Sequence, residues 1–293
     1  MPKTLGLTFI LLTVLLLSCE KTIEFKPRDQ ETKIVVDASI ENGRCPVVYL
    51  TSSFNFFSTI SVSQLQGIFI RNAVIKISNG EQTTFLKEFT QSATGGSVYF
   101  YTCDTLDDSF VGEQGKTYTL DINIEGNEYT STTTIPVLTK KIDVLYFEGN
   151  VDEKDTSKVI LYGIFNDPEG FGNYTRYFTQ VNDKPFYPGL NSVQDDQVTD
   201  GKKYKLQIEQ GVDRNTSIDF QEYSFFHRGD KVTVKYCDID KATFDFWRTM
   251  EYSYSSIGNP FSSPTKVQGN ISNGALGYFG GYAVQYSRIL IPD

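Results

Sequence analysis

The sequence predicts an all-β protein of two consecutive β-sandwich domains, immunoglobulin-like or fibronectin-III-like, the second carrying one inserted helix. Two observations predict this class. Apolar side chains recur at every second position through most of the chain, as they do in strands with one buried face. Turn-forming pairs such as Asn79-Gly80 and Gly126-Asn127 separate these segments, and such pairs supply the positive φ angles that tight hairpins need.

The first sandwich is predicted at residues 32–136. Its opening segment, KIVVDASI at 33–40, places Ile34, Val36, Ala38 and Ile40 on one face of a strand and Asp37 and Ser39 on the other. A second alternating run, at 116–136, turns back at Gly126-Asn127 and stops at Pro136, because proline cannot donate to a strand ladder. Several short strands with regular turns and no helical stripe are typical of a small sandwich.

The second β-rich domain is predicted at residues 137–293, with a helix at about 240–255. Asp240 is a suitable N-cap residue for this helix. The aromatic and apolar residues that follow are spaced by three or four positions, as on one helical face, and they are Phe244, Trp247, Met250 and Tyr254. A lone helix on a sheet must bury one face, so Trp247 is predicted to be core.

Residues 1–18 have the layout of a secretory signal peptide, with Lys3 before an apolar run at 5–17 that is too short to span a bilayer. Ser18-Cys19 follows at once and resembles the lipobox of bacterial lipoproteins. This resemblance implies that Cys19 becomes the acylated first residue, carrying palmitate, and that the polar segment 19–31 is a lipidated tether. An ordinary secretory signal is the alternative.

The chain is acidic, with a formal net charge of −9, and removal of the signal peptide takes away Lys3 and no acid. An acidic body is poorly suited to phosphate backbones, so nucleic acid is not expected as a partner. Beyond Cys19 three cysteines remain, and export makes disulfides possible. Cys45 and Cys103 lie in one predicted domain and are the pair considered for a bridge; isolated thiols are the alternative.

No catalytic residue, cofactor or metal site is predicted. The one histidine, His227, has no nucleophile motif or HExxH helix to accompany it. Three acidic clusters, at 103–109, 166–170 and 194–201, do not match a calcium loop, and turn formation is the commoner use of such residues. The protein is therefore predicted not to be an enzyme. A hydrolase whose carboxylates converge only in space is the third-ranked hypothesis.

Two aromatic segments are candidate contacts for a partner or ligand. Phe54, Phe56 and Phe57 lie in a Ser/Thr/Asn-rich connection, where they must pack against their own domain or a partner. Tyr278 and Phe279 lie in GNISNGALGYFGG at 269–281. This stretch is not a phosphate-binding loop, because a strand predicted from Tyr282 and not a helix follows it. We expect turns at its two glycine pairs, 273–274 and 280–281, with the apolar side chains between them packed beneath the last strand.

Several segments together resemble one family. They are SCEKTIEF, IVVDASIENGRCPVVYLTSS, GKTYTLDINIEGNEYTSTTTIP, FNDPEGFGNYTRY, DIDKATFDFW and GNISNGALGYFGGYAV, which extend over most of the mature chain. They are similar to an uncharacterised family of Bacteroidota outer-membrane lipoproteins, a domain of unknown function. Members are commonly encoded beside TonB-dependent receptors, which implies an accessory lipoprotein with an outer-membrane β-barrel as partner. The resemblance supplies no catalytic residues, and the cysteines of this chain depart from what it leads us to expect.

Two short signals bear on location. The segment EKTIEF after Cys19 has some acidic character, as surface-export signals in these bacteria do. Asp104-Thr105-Leu106 fits the pattern of Bacteroidota O-glycosylation, which makes Thr105 a candidate site. Surface exposure on the outer membrane is therefore favoured over a periplasmic position.

The leading functional hypothesis is a non-enzymatic, lipid-anchored outer-membrane protein that assists a TonB-dependent receptor or another envelope complex in ligand capture or transport. The alternative is a free-standing surface module that binds glycan or peptide, since planar rings stack on sugar faces and sheet edges accept an added strand.

Overall fold

The structure is a computed structural model that describes residues 31–53, 67–93, 96–104, 110–149, 155–259, 261–263 and 265–293. Thr32–Asp293 form one compact unit. The predicted signal peptide, Cys19 and nearly all of the tether lie outside the described residues. Strands dominate the described chain and one helix accompanies them, which confirms the predicted all-β class.

Fifteen strands and the helix α1 have the following bounds: β1 Ile34–Glu41, β2 Val47–Ser52, β3 Val74–Ser78, β4 Thr83–Ala93, β5 Gly96–Thr102, β6 Thr117–Ile124, β7 Asn127–Thr134, β8 Lys141–Gly149, β9 Lys158–Asn166, β10 Tyr174–Val181, β11 Tyr187–Gln194, β12 Lys203–Ile208, β13 Phe226–His227, β14 Lys231–Ile239, α1 Lys241–Ser256 and β15 Leu276–Leu290. Eleven of these strands follow one hydrogen-bonded path, in the order β11-β10-β14-β15-β1-β2-β5-β4-β3-β6-β7.

The first half of the chain forms a sandwich because β4 belongs to two layers. Residues 83–86 of β4 pair with β3, and residues 87–93 pair with β5. The layer β1-β2-β5-β4 therefore faces the layer β4-β3-β6-β7 across a core that includes Val36, Ala38 and Ile40, each fully buried. These are alternate residues of the first predicted strand, so its inward face was predicted correctly.

The second half forms another layered core. Strands β10, β14 and β15 pack one face on a smaller sheet. In that sheet β9 pairs with β12 and β13 along one edge and with β8 along the other. Phe165, Phe226 and Tyr236 are the largest side chains buried between these two sheets. Burial of such rings contributes about 1.5–3 kcal/mol each.

Strand β15 joins the two halves. Residues 276–282 pair in parallel with β1, and residues 282–290 pair antiparallel with β14. The predicted boundary near 136 falls in the connection between β7 and β8, with one core on either side of it. However, β15 supplies Phe279 and Ala283 to the first core and packs Ile289 against the second.

The glycine-rich stretch 269–281 is a turn followed by a strand. The expected turn at Asn273-Gly274 is present, with φ angles of 55° and 73°. The expected turn at 280–281 is wrong, since both glycines lie inside β15. A Cβ on Gly277 would overlap the carbonyl oxygen of Val36, and one on Gly281 would press against that of Thr134. The missing side chains therefore let backbones of the same chain approach closely.

Helix α1 begins where the sequence predicts. Asp240 caps it by accepting a hydrogen bond of 2.8 Å from the backbone N–H of Thr243. Phe244, Trp247 and Met250 pack on the sheet, as predicted, whereas Tyr254 is 45% exposed. Phe246 is buried in its place. Among the described residues, no helix has the length and apolar character needed to cross a bilayer.

Candidate functional site

Eight neighbouring strands of the long sheet, from β11 to β4, present one continuous face on the side away from both cores. Helix α1 lies on the part of this face formed by β11, β10 and β15, which we call the covered face. The part formed by β1, β2, β5 and β4 carries Asp37, Tyr49, Phe89 and Phe100, and we call it the aromatic face. The candidate site includes this aromatic face and the polar network beneath the helix.

Strand register produces the aromatic face. Phe89 on β4 pairs with Phe100 on β5, and their rings stack with centroids 6.0 Å apart. The ring of Tyr49 on β2 lies 5.9 Å from that of Phe100. Asp37 on β1 is the cross-strand partner of Tyr49. Three rings thus form a row across three strands that ends at a carboxylate, with Tyr49 36% exposed and the other two half-buried.

Asp37 connects the aromatic face to the covered face. Asp37 as a whole is exposed to solvent. The surrounding protein nevertheless removes water from around the carboxyl group, and this desolvation raises the pKa of Asp37. The positive charge of Arg176 and a hydrogen bond with the Tyr278 side chain oppose this rise. Tyr278 is the parallel-strand neighbour of Asp37 on β15. An exposed acid on one half of the sheet face is therefore coupled to buried groups on the other.

Hydroxyl groups continue from Asp37 under the helix. The hydroxyls of Tyr278 and Tyr282 are hydrogen-bonded at 3.1 Å. The indole N–H of Trp247 donates to the Tyr282 hydroxyl at 3.0 Å, and an Arg176 N–H donates to the same oxygen at 3.3 Å. Burial raises the pKa of both tyrosines, which keeps these hydroxyls protonated. The Tyr282 hydroxyl is thus hydrogen-bonded to three polar groups, one each from β15, β10 and α1.

Arg176 is the centre of the buried network and is only 3% exposed. Its guanidinium lies 3.5 Å from the ring centroid of Trp247 and 4.7 Å from that of Phe178, so it stacks on two aromatic faces. The Nε–H donates to the Ser192 hydroxyl at 3.1 Å, and Ser192 donates its own O–H and N–H to the Glu251 carboxylate. A serine therefore joins the buried arginine to the buried glutamate.

Glu251 is 7% exposed, and this burial raises the pKa of its carboxyl, against the stabilising hydrogen bonds of Ser192 and the charge of Arg176. It lies at a cleft of about 440 Å³ between α1 and β11, which Asn191, Arg248 and Tyr252 also line. Chemically, the network places a positive charge close to Asp37 and holds α1 on the sheet.

His227 lies at a separate cavity of about 490 Å³, together with Glu222, Tyr223 and Asp230. Its Nε2 is 3.7 Å from a carboxylate oxygen of Glu222, and its backbone N–H donates to Asp230 at 2.8 Å. Across the described parts of the chain, no group of three or more His, Cys, Asp and Glu side chains has the arrangement of a metal site.

Two of the acidic clusters meet and stabilise turns. Asp196 accepts hydrogen bonds from the backbone N–H groups of Gly172 and Asn173, each at 2.8 Å. Asp200 accepts from the N–H of Gly170 at 2.7 Å. The turn interpretation is therefore confirmed for residues 166–170 and 194–201. Most of the third cluster, including Thr105, lies outside the described residues.

The structure locates some of the other predicted site residues and does not describe the rest. Phe54, Phe56 and Phe57 lie outside the described residues, so their role stays a prediction. Tyr278 is 5% exposed and Phe279 fully buried, so the structure places both rings in the interior. Cys45 and Cys103 are not joined by a disulfide; the Cys103 thiol donates to the carbonyl oxygen of Phe110 at 3.3 Å.

Sequence reasoning missed the residues that define this site, namely Asp37, Tyr49, Arg176, Ser192 and Glu251. Each is an ordinary strand or helix residue in its own segment. The available signals were a lone acid in the apolar strand 33–40 and an arginine between aromatic residues in YTRYF. Neither signal identifies its partners, because Arg176 and Tyr282 are 106 positions apart in the sequence.

Two comparisons with known proteins bear on the family of this chain. The search of curated proteins gives no match for this chain. A family model covers residues 20–288 of the 293-residue chain. The chain therefore belongs to the family described as a domain of unknown function, DUF4249.

Proposed function

We propose that this protein is a lipid-anchored accessory protein of the bacterial outer membrane that helps a TonB-dependent receptor to capture or transport its ligand. The aromatic face is the observation that carries the proposal. Half-exposed rings in a row are suited to burial against a partner, since aromatic side chains and arginine dominate the energetics of protein interfaces. In this proposal the receptor or its bound ligand covers Tyr49, Phe89 and Phe100.

The lipid anchor is the second part of the proposal. An acylated Cys19 would hold the body at the membrane surface, where a short polar tether allows it to meet an embedded β-barrel. Anchoring confines both proteins to one surface, so even a weak contact through three rings is occupied much of the time. A non-enzymatic role accords with this arrangement, in which the face binds and the anchor localises.

A second candidate function is favoured by the combination of rings and a carboxylate. Tyr49, Phe100 and Phe89 present planar apolar surfaces, and Asp37 at the end of the row accepts hydrogen bonds. Sugar rings stack on such surfaces and donate hydroxyls to such acids. Under this alternative the protein binds glycan directly, without a receptor.

Co-purification tests the first proposal. We expect full-length protein extracted from membranes in mild detergent to bring with it a β-barrel that mass spectrometry identifies as a TonB-dependent receptor. The triple variant Tyr49→Thr/Phe89→Thr/Phe100→Thr should lose this partner, because threonine suits strands but removes the rings. Phe85→Thr is the matched control, since Phe85 is 62% exposed on the same strand β4 where it pairs with β3.

Recovery of the wild-type protein without a barrel contradicts receptor assistance. In that case, retention of the wild type on outer-membrane polysaccharide, lost in the triple variant, supports the glycan alternative. If Phe85→Thr loses the barrel as the triple variant does, the loss follows from removing any exposed ring, and the aromatic face is not the specific binding surface. Palmitate labelling of the wild type and not of Cys19→Ala checks the anchor separately.

A further inference from the structure

A lysine is completely buried immediately before β8. The side chain of Lys140 is 1% exposed, and its Nζ lies 2.7 Å from Oδ2 of Asp167, whose side chain is 0% exposed. The backbone of Lys140 is held on both sides, because its N–H donates to Asp238 at 3.1 Å and its carbonyl accepts from Gln285 at 2.7 Å. The amine and the carboxyl are therefore held against each other in the interior.

The pair does not satisfy its own polar atoms. Within the described chain, Lys140 Nζ makes no hydrogen bond of acceptable geometry, and neither does Oδ1 of Asp167 or Oδ1 of Asp238. A buried ammonium normally places all three donors, and buried carboxylate oxygens normally accept hydrogen bonds. Three unsatisfied atoms, one on the lysine and two on the acids beside it, indicate that a non-covalent ion pair is not the final state of this cluster.

Asp238 is the second acid of the cluster. Its Oδ2 accepts hydrogen bonds from the N–H and hydroxyl of Thr139 and from the N–H of Lys140, at 2.7 to 3.1 Å. Its Oδ1 remains available. Burial raises the pKa of its carboxyl, partly offset by those N–H groups and by the charge of Lys140. Asp238 can therefore both accept and donate a proton beside the pair.

Aromatic rings surround the cluster. Lys140 Nζ lies 5.8 Å from the centroid of the Tyr204 ring, which stacks on Phe165 at 5.4 Å, and Phe165 in turn contacts Tyr236 at 4.8 Å. Phe165 and Tyr236 are no more than 1% exposed. Charged groups that lose their hydration in such a site are costly unless hydrogen bonds replace the lost water, and here those hydrogen bonds are incomplete. Exclusion of water also favours condensation over hydrolysis.

We propose that Lys140 and Asp167 join in an intramolecular isopeptide bond, with Asp238 as the proton carrier. A proton passes from the ammonium to the Asp167 carboxylate, and the amine lone pair then attacks Cγ of the neutral acid. The C–N bond forms and one C–O bond breaks. The released oxygen leaves as water with two of the three ammonium protons, one of them carried by Asp238. Atoms and charge balance without an oxidant, reductant or co-reactant.

The bond would cross-link a part of the fold that buries little surface. It closes a loop that contains β8 and β9, and most of β8 is exposed or half-buried. A covalent link between residues 140 and 167 restricts the unfolded chain and so stabilises the folded one. For a protein tethered outside the cell, this cross-link would resist unfolding and proteolysis in place of a disulfide.

Mass spectrometry of the full-length wild-type protein tests the proposal directly. We expect a tryptic digest to contain a branched peptide that joins the segments around Lys140 and Asp167 and weighs one water less than their sum. Trypsin does not cleave after the acylated lysine, so ordinary peptides ending at Lys140 should be lost. Wild-type protein that gives only unbranched peptides overturns the proposal and leaves a buried ion pair.

Variants locate the atoms involved. Lys140→Arg should abolish the branched peptide, whereas Asp167→Asn should still form it with release of ammonia, since the carbonyl carbon is retained. Asp238→Asn should slow bond formation at least tenfold in samples taken after synthesis; an unchanged rate overturns the role of Asp238. Lys205→Arg is the matched control, because Lys205 Nζ lies 2.8 Å from Glu148 but both side chains are exposed. The Lys140–Asp167 branch should be unaffected by it.

Discussion

The covered and aromatic faces are two parts of one sheet surface, and they differ in how far their polar and aromatic side chains are buried. Beneath α1, the charges of Arg176 and Glu251 are buried and are joined through Ser192. On the aromatic face, Asp37 is exposed and the rings of Tyr49, Phe89 and Phe100 are only half covered. The first arrangement stabilises the fold, because every removed group leaves a partner unsatisfied. The second leaves apolar area and a carboxylate for a ligand.

Substitution of Arg176 is expected to have the largest effect on stability. Arg176→Met removes the stronger of the two positive charges that act on buried Glu251 and leaves that of Arg214. Removal of one member of a buried charged network costs about 3–5 kcal/mol. Urea unfolding followed by circular dichroism measures this loss. Arg288→Met, on an exposed arginine of strand β15, should change the free energy of unfolding by less than about 0.5 kcal/mol. Equal losses in both variants would contradict a special role for the covered network.

Trp247→Phe should have an intermediate effect. The substitution removes the indole N–H that donates to Tyr282 and weakens the stack on Arg176, while it keeps an apolar ring. We expect a loss of about 1–2 kcal/mol in the free energy of unfolding. Tyr282→Phe removes the acceptor of the same bond. The double variant should therefore lose less than the sum of the two single losses; a strictly additive result would show that the bond contributes nothing.

Tyr49→Thr should destabilise the fold less than Arg176→Met or Trp247→Phe. Its cross-strand contacts with Asp37 and Phe100 contribute about 0.2–1 kcal/mol, and its ring is already partly exposed. The same substitution should weaken partner binding, measured by the co-purification described above. A loss of stability as large as that of Arg176→Met would mean that the aromatic face is structural core and not a binding surface.

A change in pH dependence is the smallest expected effect. The pKa of Glu251 is raised above its ordinary value of 4.5, so the folded state binds the proton more tightly than the unfolded state. The free energy of unfolding therefore falls as pH rises above 4.5 toward the folded pKa. Glu251→Gln should remove this fall, so the free energy of unfolding plotted against pH above 4.5 should be flatter than that of wild type. A steeper curve would contradict the raised pKa.

Local patterns predicted a large share of the fold. The period of two in apolar positions located β1 and the hairpin of β6 and β7. In that hairpin Glu125 and Gly126 both have positive φ, so the turn lies one residue before the predicted pair. An N-cap and a three-four spacing located α1. These features depend on interactions between neighbouring residues. Gly280-Gly281 was misassigned because glycine pairs are commoner in turns. Here the missing side chain of Gly281 admits the backbone of Thr134, and that of Gly280 admits the side chains of Tyr278 and Thr243.

The candidate site depended on tertiary structure for a physical reason. By itself the sequence determined the strand-rich class, the capped helix and the inward face of the first strand, because side-chain period and turn chemistry are local properties. Only the tertiary structure decided that β15 joins both cores, that Asp37, Arg176 and Glu251 lie on one sheet face, and that Lys140 meets Asp167 away from water. Strand order and register determine those meetings, and they follow from the packing of the whole chain.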